Sequence, residues 1–383
     1  MSLSEFGVFS FISSLANLFK SFMSFGGQLY LIYKVSKAKD QKYYYYFKSS
    51  LLSIIIALGI SLCLFFVKLF DQEIINTNHF LFAVLLGSFM VLIQNTYSFF
   101  KGSGAFEKEA KGYFIFLTLI VCSLICFQYN LLVPSLINIL ILVLCIHILL
   151  FIFSTVQLFL YYKKDNSTKE IGKIINDMKG FIKERVPYGF HELQSALYLN
   201  AIIIIMGFLV KEQELALYRS IQIIIVPISI LPMIFSQVLL KQLTENIDNS
   251  VYFNKLFRKF LLFALMTGLL LFTLFYFNGD LIINLFYGER FVEIEYINQL
   301  LLIFASTYLF RFISANYGVL ITAKDKQKIR MYATSALIVV TVTTTILLTK
   351  SLGVLGAAYA NAISYFFIMV VYIIYSEIKL LRN

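Results

Sequence analysis

Three cations sit where an apolar sequence has little reason to keep them. Lys20 and Arg311 fall deep inside long hydrophobic runs, and Arg219 lies near the end of another. A charge at the centre of a membrane span costs about 2.5–3.5 kcal/mol on insertion scales, so it is expected to face a polar cavity. Around Lys20, the residues Ser10, Ser13, Ser14, Asn17, Ser21, Ser24 and Gln28 share one helical face, with Phe11, Leu15 and Phe22 opposite. Serine alone on such a face would indicate close helix packing. With Lys20 at its centre, the stripe reads as a cavity wall. Arg219 shares a ridge with Gln222, Ser229, Ser236 and Gln237, while Thr307, Arg311 and Ser314 form a shorter one. Three cations and few acids around one cavity describe a site for an anion. Phosphate is the natural candidate, because guanidinium offers it a bidentate donor fork.

A second constellation follows Pro187. His191, Gln194 and Tyr198 continue its ridge, with Tyr188, Glu192 and Ser195 beside them. His191 and Glu192 could relay a proton or hold a coupling cation. The alternative is that both are simply hydrated near the cytoplasmic end of their helix, and the two readings stand level. Other motifs point to no chemistry. Cys63, Cys122, Cys126 and Cys145 all lie in apolar spans, and the one-turn spacing of Cys122 and Cys126 has no His or acid beside it. Neither a metal site nor a disulfide framework is expected. Gly102 and Gly104 lack the strand–helix context of a phosphate loop. No loop is long enough to carry a catalytic domain, so no enzyme activity and no cofactor are expected.

The elements that must position these residues are membrane helices. Of 383 residues, 60% are hydrophobic and only 14% charged, and mean hydropathy is +0.82. Soluble domains carry about a quarter charged residues. Apolar runs of this length suit helices and not membrane strands. Eleven spans are expected, at roughly 6–30, 50–70, 79–100, 113–130, 134–161, 186–210, 217–240, 259–278, 296–321, 331–349 and 354–376. Pro227 and Pro232 should bend the seventh. Successive loops alternate between cation-rich and cation-poor, and the rich ones are cytoplasmic by the positive-inside rule. The net charge of +11 therefore belongs to short loops and implies no nucleic acid. The C-terminus, with Lys379 and Arg382, is then cytoplasmic, and an odd span count starts the chain outside.

The chain divides into an N-terminal lobe of five helices (1–161), a linker (162–185) and a C-terminal lobe of six (186–383). The linker carries Lys163, Lys164, Lys169, Lys173, Lys179, Lys183 and Arg185. Its Ile171, Ile174, Ile175, Met178, Phe181 and Ile182 repeat at helical spacing. That pattern predicts a basic amphipathic helix in the cytoplasmic headgroup layer. The opening SEFGVFSFI is echoed by QELALYRSI, placing Glu5 on Glu214 and Phe9 on Tyr218. If the lobes are repeats of six, the first has lost its first helix. Repeated halves around a central site are a transporter plan.

Several stretches resemble the multidrug/oligosaccharidyl-lipid/polysaccharide flippase superfamily, and within it the bacterial O-antigen and capsule translocases. They are SEFGVFSFISSLAN, ELALYRSIQIIIVPISILPMIFSQVLLKQL, LIINLFYGERFVEIEYINQLLLI, YGVLITAKDKQK and SLGVLGAAYANAIS. The resemblance implies an all-α polytopic fold of two six-helix lobes. It also implies passage of an undecaprenyl-diphosphate-linked oligosaccharide across the bacterial cytoplasmic membrane by alternating access. Lys20, Arg219 and Arg311 would then contact the diphosphate or sugar, with Asn17, Gln222, Gln194 and Tyr198 beside them. Membrane lipids, a glycan polymerase and glycosyltransferases would be the partners. The rivals are a drug or cation exporter of the same superfamily, which should favour acids in its cavity, and a polymerase or acyltransferase, which should carry a large outer loop.

Overall fold

A computed structural model describes residues 2–37, 41–70, 77–164, 178–246, 249–294, 296–324 and 326–381. Every regular element among them is a helix: α1 (Leu3–Ser24), α2 (Gly27–Lys37), α3 (Lys42–Phe70), α4 (Thr77–Gly102), α5 (Phe106–Gln128), α6 (Leu136–Lys164), α7 (Met178–Leu209), α8 (Glu212–Ile225), α9 (Ile230–Glu245), α10 (Ser250–Tyr287), α11 (Glu289–Val292), α12 (Ile297–Ala323) and α13 (Gln327–Lys379). Nine stretches of described helix are long and apolar enough to cross a membrane. Two expected spans, 331–349 and 354–376, lie within one of these, α13, which Gly353 kinks. A third, 217–240, is divided between α8 and α9 by a 3₁₀ turn, Val226–Ser229, that holds Pro227.

The chain forms two compact units, Met1–Asn200 and Ala201–Asn383, which divide within α7. In unit 1, α4 packs along both α1 and α2. Gly87 of α4 lets the backbones close in, since a Cβ there would come within 2.9 Å of the Ala16 carbonyl oxygen. In unit 2, α12 is the central helix, packed by α13, α10, α9 and α8. Large side chains such as Phe114 and Leu285 stay exposed, as helices facing lipid tails require.

The first expected span is two helices. Phe25 (φ 40°) and Gly26 (φ 78°) both adopt the left-handed conformation and separate α1 from α2. The linker helix, by contrast, lies largely outside the described residues, including Ile171, Ile174 and Ile175. Of its final stretch, Met178 begins α7, and Phe181 and Arg185 are buried inside unit 1.

The echoed acids acquire matching positions. Glu5 completes a capping box with Ser2, and its other oxygen accepts the Leu136 backbone N–H at 3.0 Å, at the start of α6. In unit 2, Glu214 accepts the Val354 N–H at 3.0 Å, where α13 resumes after its kink. The first N–H groups of a helix lack intrahelical acceptors and carry partial positive charge, so a carboxylate suits both places. Gly353 is required there: its φ is +56°, and a Cβ would come within 2.6 Å of Glu214 Oε2.

Candidate functional site

The break between α1 and α2 is held by two charged residues of α7. Where α1 ends, its last carbonyls lack partners and point with the negative end of the helix dipole. Arg185, with no exposed surface, meets them: Nε donates to Phe25 O at 3.2 Å, Nη2 donates to Ser24 O, and Nη1 donates to Ser49 Oγ at 3.0 Å. Where α2 begins, the polarity reverses. There Glu192 accepts the Gly26 N–H at 2.7 Å and the Ser24 hydroxyl at 3.0 Å. Tyr30 and Lys34 of α2 bind Glu184 at 2.9 and 2.6 Å. Lys34, with Tyr30 beside it, holds the Glu184 carboxyl below the ordinary carboxylate range.

Lys20 lines a cavity of about 260 Å³ that lies wholly in unit 1. Gln94, Tyr97, Ser98 and Lys101 of α4 supply one wall at helical spacing, and α2, α5 and α6 contribute Gln28, Tyr113 and His147. Gln94 Nε2 donates to Gln28 Oε1 at 3.0 Å. Lys101 pairs with Glu109 at 2.9 Å, and Glu109 is buried. The rings of Tyr97 and Tyr113 are tilted 35° with centroids 6.1 Å apart. Lys20 itself is in electrostatic reach of Glu192.

In unit 2, Arg219 donates to Gln222 Oε1 at 2.6 Å. Arg311 lies over the rings of Tyr308 and Tyr365, 5.4 and 5.7 Å from their centroids, and donates to the Tyr308 hydroxyl at 3.4 Å. Tyr218 is in electrostatic reach of Arg219, Tyr308 and Tyr365, which ties both arginines to one aromatic cluster on α8, α12 and α13. Both arginines are half-buried.

The expected residues thus fall in two groups. Lys20, Asn17, Glu192, Gln194 and Tyr198 belong to unit 1, and Arg219, Gln222 and Arg311 to unit 2. The His191 side chain lies outside the described residues. Asn17 turns back to Ser13 O at 3.0 Å, and Ser10 and Ser21 likewise bond carbonyls of their own helix. Of the polar stripe on the first span, Lys20 and Gln28 line the cavity. The sequence reading missed Arg185 at the helix break and Tyr97, Lys101, Glu109 and Tyr113 around the cavity. Lys101 and Glu109 had a usable signal, since they flank a short glycine turn that folds their helices together.

Residues 1–240 match the family model described as "Polysaccharide biosynthesis protein". Solved structures with this fold include an inward-facing multidrug resistance MATE family transporter of the MOP superfamily. That match has 12% identity and a TM-score of 0.74, and covers 98% of this chain and 90% of that one. The lipid II flippase MurJ in an inward closed conformation matches with 15% identity and a TM-score of 0.67, covering 98% and 86%. A MOP superfamily transporter from Pyrococcus furiosus, whose reverse polarity of binding pocket suggested a different function, matches with 14% identity and a TM-score of 0.55, covering 99% and 86%. At such identities the likeness is one of fold. No curated protein matches this chain in sequence.

Proposed function

The chain belongs to the polysaccharide biosynthesis protein family, and from that premise we propose that it is a flippase for a lipid-linked oligosaccharide. It moves an undecaprenyl-diphosphate-linked glycan from the cytoplasmic to the outer leaflet of a bacterial cytoplasmic membrane, for O-antigen, capsule or exopolysaccharide assembly. It makes and breaks no covalent bond and acts by alternating access, with its C-terminus in the cytoplasm. A polymerase would take up its product, and glycosyltransferases would supply its substrate.

One observation carries this reading. Arg219 of α8 is half-buried and donates to the neutral Gln222 amide at 2.6 Å. A cation held among neutral groups keeps most of its field for a ligand, and that field is stronger in low dielectric than in water. A diphosphate crossing the bilayer needs such compensation, and a guanidinium fork can grip its oxygens in a bidentate pair. A carrier of organic cations would need the opposite polarity.

The test uses proteoliposomes containing the full chain and a polyprenyl-diphosphate-linked oligosaccharide. Translocation should fall to the protein-free rate in Arg219→Gln and Arg311→Gln. In cells, the same variants should insert normally and lose surface glycan. Normal surface glycan in both would overturn the proposal. Extrusion of tetraphenylphosphonium, unaffected by either substitution, would point to the drug-exporter reading instead.

A further inference from the structure

The cavity of unit 1 differs in kind from the arginine cluster of unit 2. In unit 1, Lys101 is matched by Glu109 at 2.9 Å. A lysine paired in this way spends its field on the carboxylate and not on a ligand phosphate. What the cavity offers is hydrogen bonding beside aromatic surface. The Gln94–Gln28 bond uses one donor and one acceptor of two amides, leaving a Gln28 N–H and the Gln94 carbonyl with bonding capacity. The Tyr97 hydroxyl is buried without a hydrogen-bond partner in the protein. It rests against Gly112, where a Cβ would stand only 1.8 Å away. Gln94, Tyr97, Ser98 and Lys101 lie on one stripe of α4, which runs about 10 Å along the helix axis.

We infer that this cavity is a sugar-binding subsite that receives a neutral pyranose ring. The Tyr97–Tyr113 pair packs on the ring's C–H face, while Gln28, Gln94 and the Lys101–Glu109 pair bond its hydroxyls. Aromatic surface with a few converging polar groups is the general form of a small-molecule pocket. The inference rests on the flippase reading, since it names the glycan part of that substrate, yet it can fail separately.

The experiment uses the full chain in lipid nanodiscs and a panel of methyl glycosides of common neutral hexoses and N-acetylhexosamines. Saturation-transfer NMR reads which ligand protons touch the protein. Transfer to ring C–H protons of at least one glycoside is expected. Gln94→Ala and Tyr113→Ala should each weaken binding by about tenfold, the scale of one lost contact of about 1.4 kcal/mol. Phe114→Ala, on the exposed face of α5, should leave it unchanged. No transfer from any glycoside overturns the subsite, as does transfer that survives both substitutions or is displaced by tetraphenylphosphonium. If glycosides fail while the proteoliposomes still translocate, the subsite falls alone. If glycosides bind and translocation is absent, the flippase reading falls and the subsite stands.

Discussion

Unit 1 and unit 2 treat interior charge in opposite ways. In unit 1, Lys101 meets Glu109, and Arg185 and Glu192 divide the two polarities of one helix break. In unit 2, the carboxylate pairing shown is at the edge, where Arg258 makes a bidentate contact with Glu377 at 2.8 and 2.6 Å. Its half-buried Arg219 donates to the Gln222 amide. Burying an ion is expensive unless a partner is in place. A charge spent on the protein's own backbone or carboxylates stabilises architecture, whereas a charge left among neutral groups awaits a ligand. Each unit thus carries an acid on a helix start, Glu5 at Leu136 and Glu214 at Val354, while the described partners of their cations differ.

Replacing Arg185 by Met is the harshest way to break the comparison. It orphans the carbonyls of Ser24 and Phe25 and leaves Glu192 without its counterweight. A loss of about 3–5 kcal/mol is expected, read as reduced insertion and an earlier thermal unfolding midpoint in detergent. Arg219→Gln is its opposite number in unit 2. That change should leave the midpoint level or raised, since it removes a buried charge whose described partner is neutral. An equal loss in the two variants would erase the distinction between the units.

Lys101→Met should destabilise by about 2 kcal/mol, because Glu109 stays buried without its partner. The double change Lys101→Met with Glu109→Gln should recover most of that loss. The coupling is measured by a double-mutant cycle. Glu5→Gln and Glu214→Gln test the shared plan, and should lower the unfolding midpoint by similar amounts. A fall in only one would show that the echoed acids are not equivalent.

The smallest effect concerns pH. Glu184 is held below the ordinary carboxylate range, so its contribution is complete above that range and disappears as pH falls through its lowered folded value. The difference in unfolding midpoint between the protein and Glu184→Gln should therefore shrink between neutral pH and about pH 3. A difference that grew on acidification would contradict the pairing with Lys34 and Tyr30.

Hydropathy made the helices legible, because a span must be long and apolar whatever it packs against. Pro227 marked the break between α8 and α9, and the Glu5–Glu214 echo marked a repeat whose physical role became visible only with α6 and α13 in place. Arg185 was hidden for a different reason. Within a run of lysines it reads as a solvated charge, and nothing local separates it from Lys183. Its burial follows from a helix break that lies 160 residues earlier in the chain. The cavity of unit 1 was illegible likewise, because Gln28, Tyr97 and Glu109 become neighbours only when five helices close around them. Polar residues on apolar helices point to an interior, and tertiary packing decides what that interior contains.

The acid clamps also bear on the order in which the chain comes together. Glu5 is made 131 residues before the N–H group it accepts, and Glu214 is made 140 residues before its own. Synthesis proceeds at about 5–20 residues per second, so each carboxylate waits many seconds for its partner. In unit 2 the partner belongs to the last long helix, and in unit 1 to α6, which α7 follows. Each clamp can latch only after the intervening helices have been made. A chain arrested before that point presents an unlatched carboxylate.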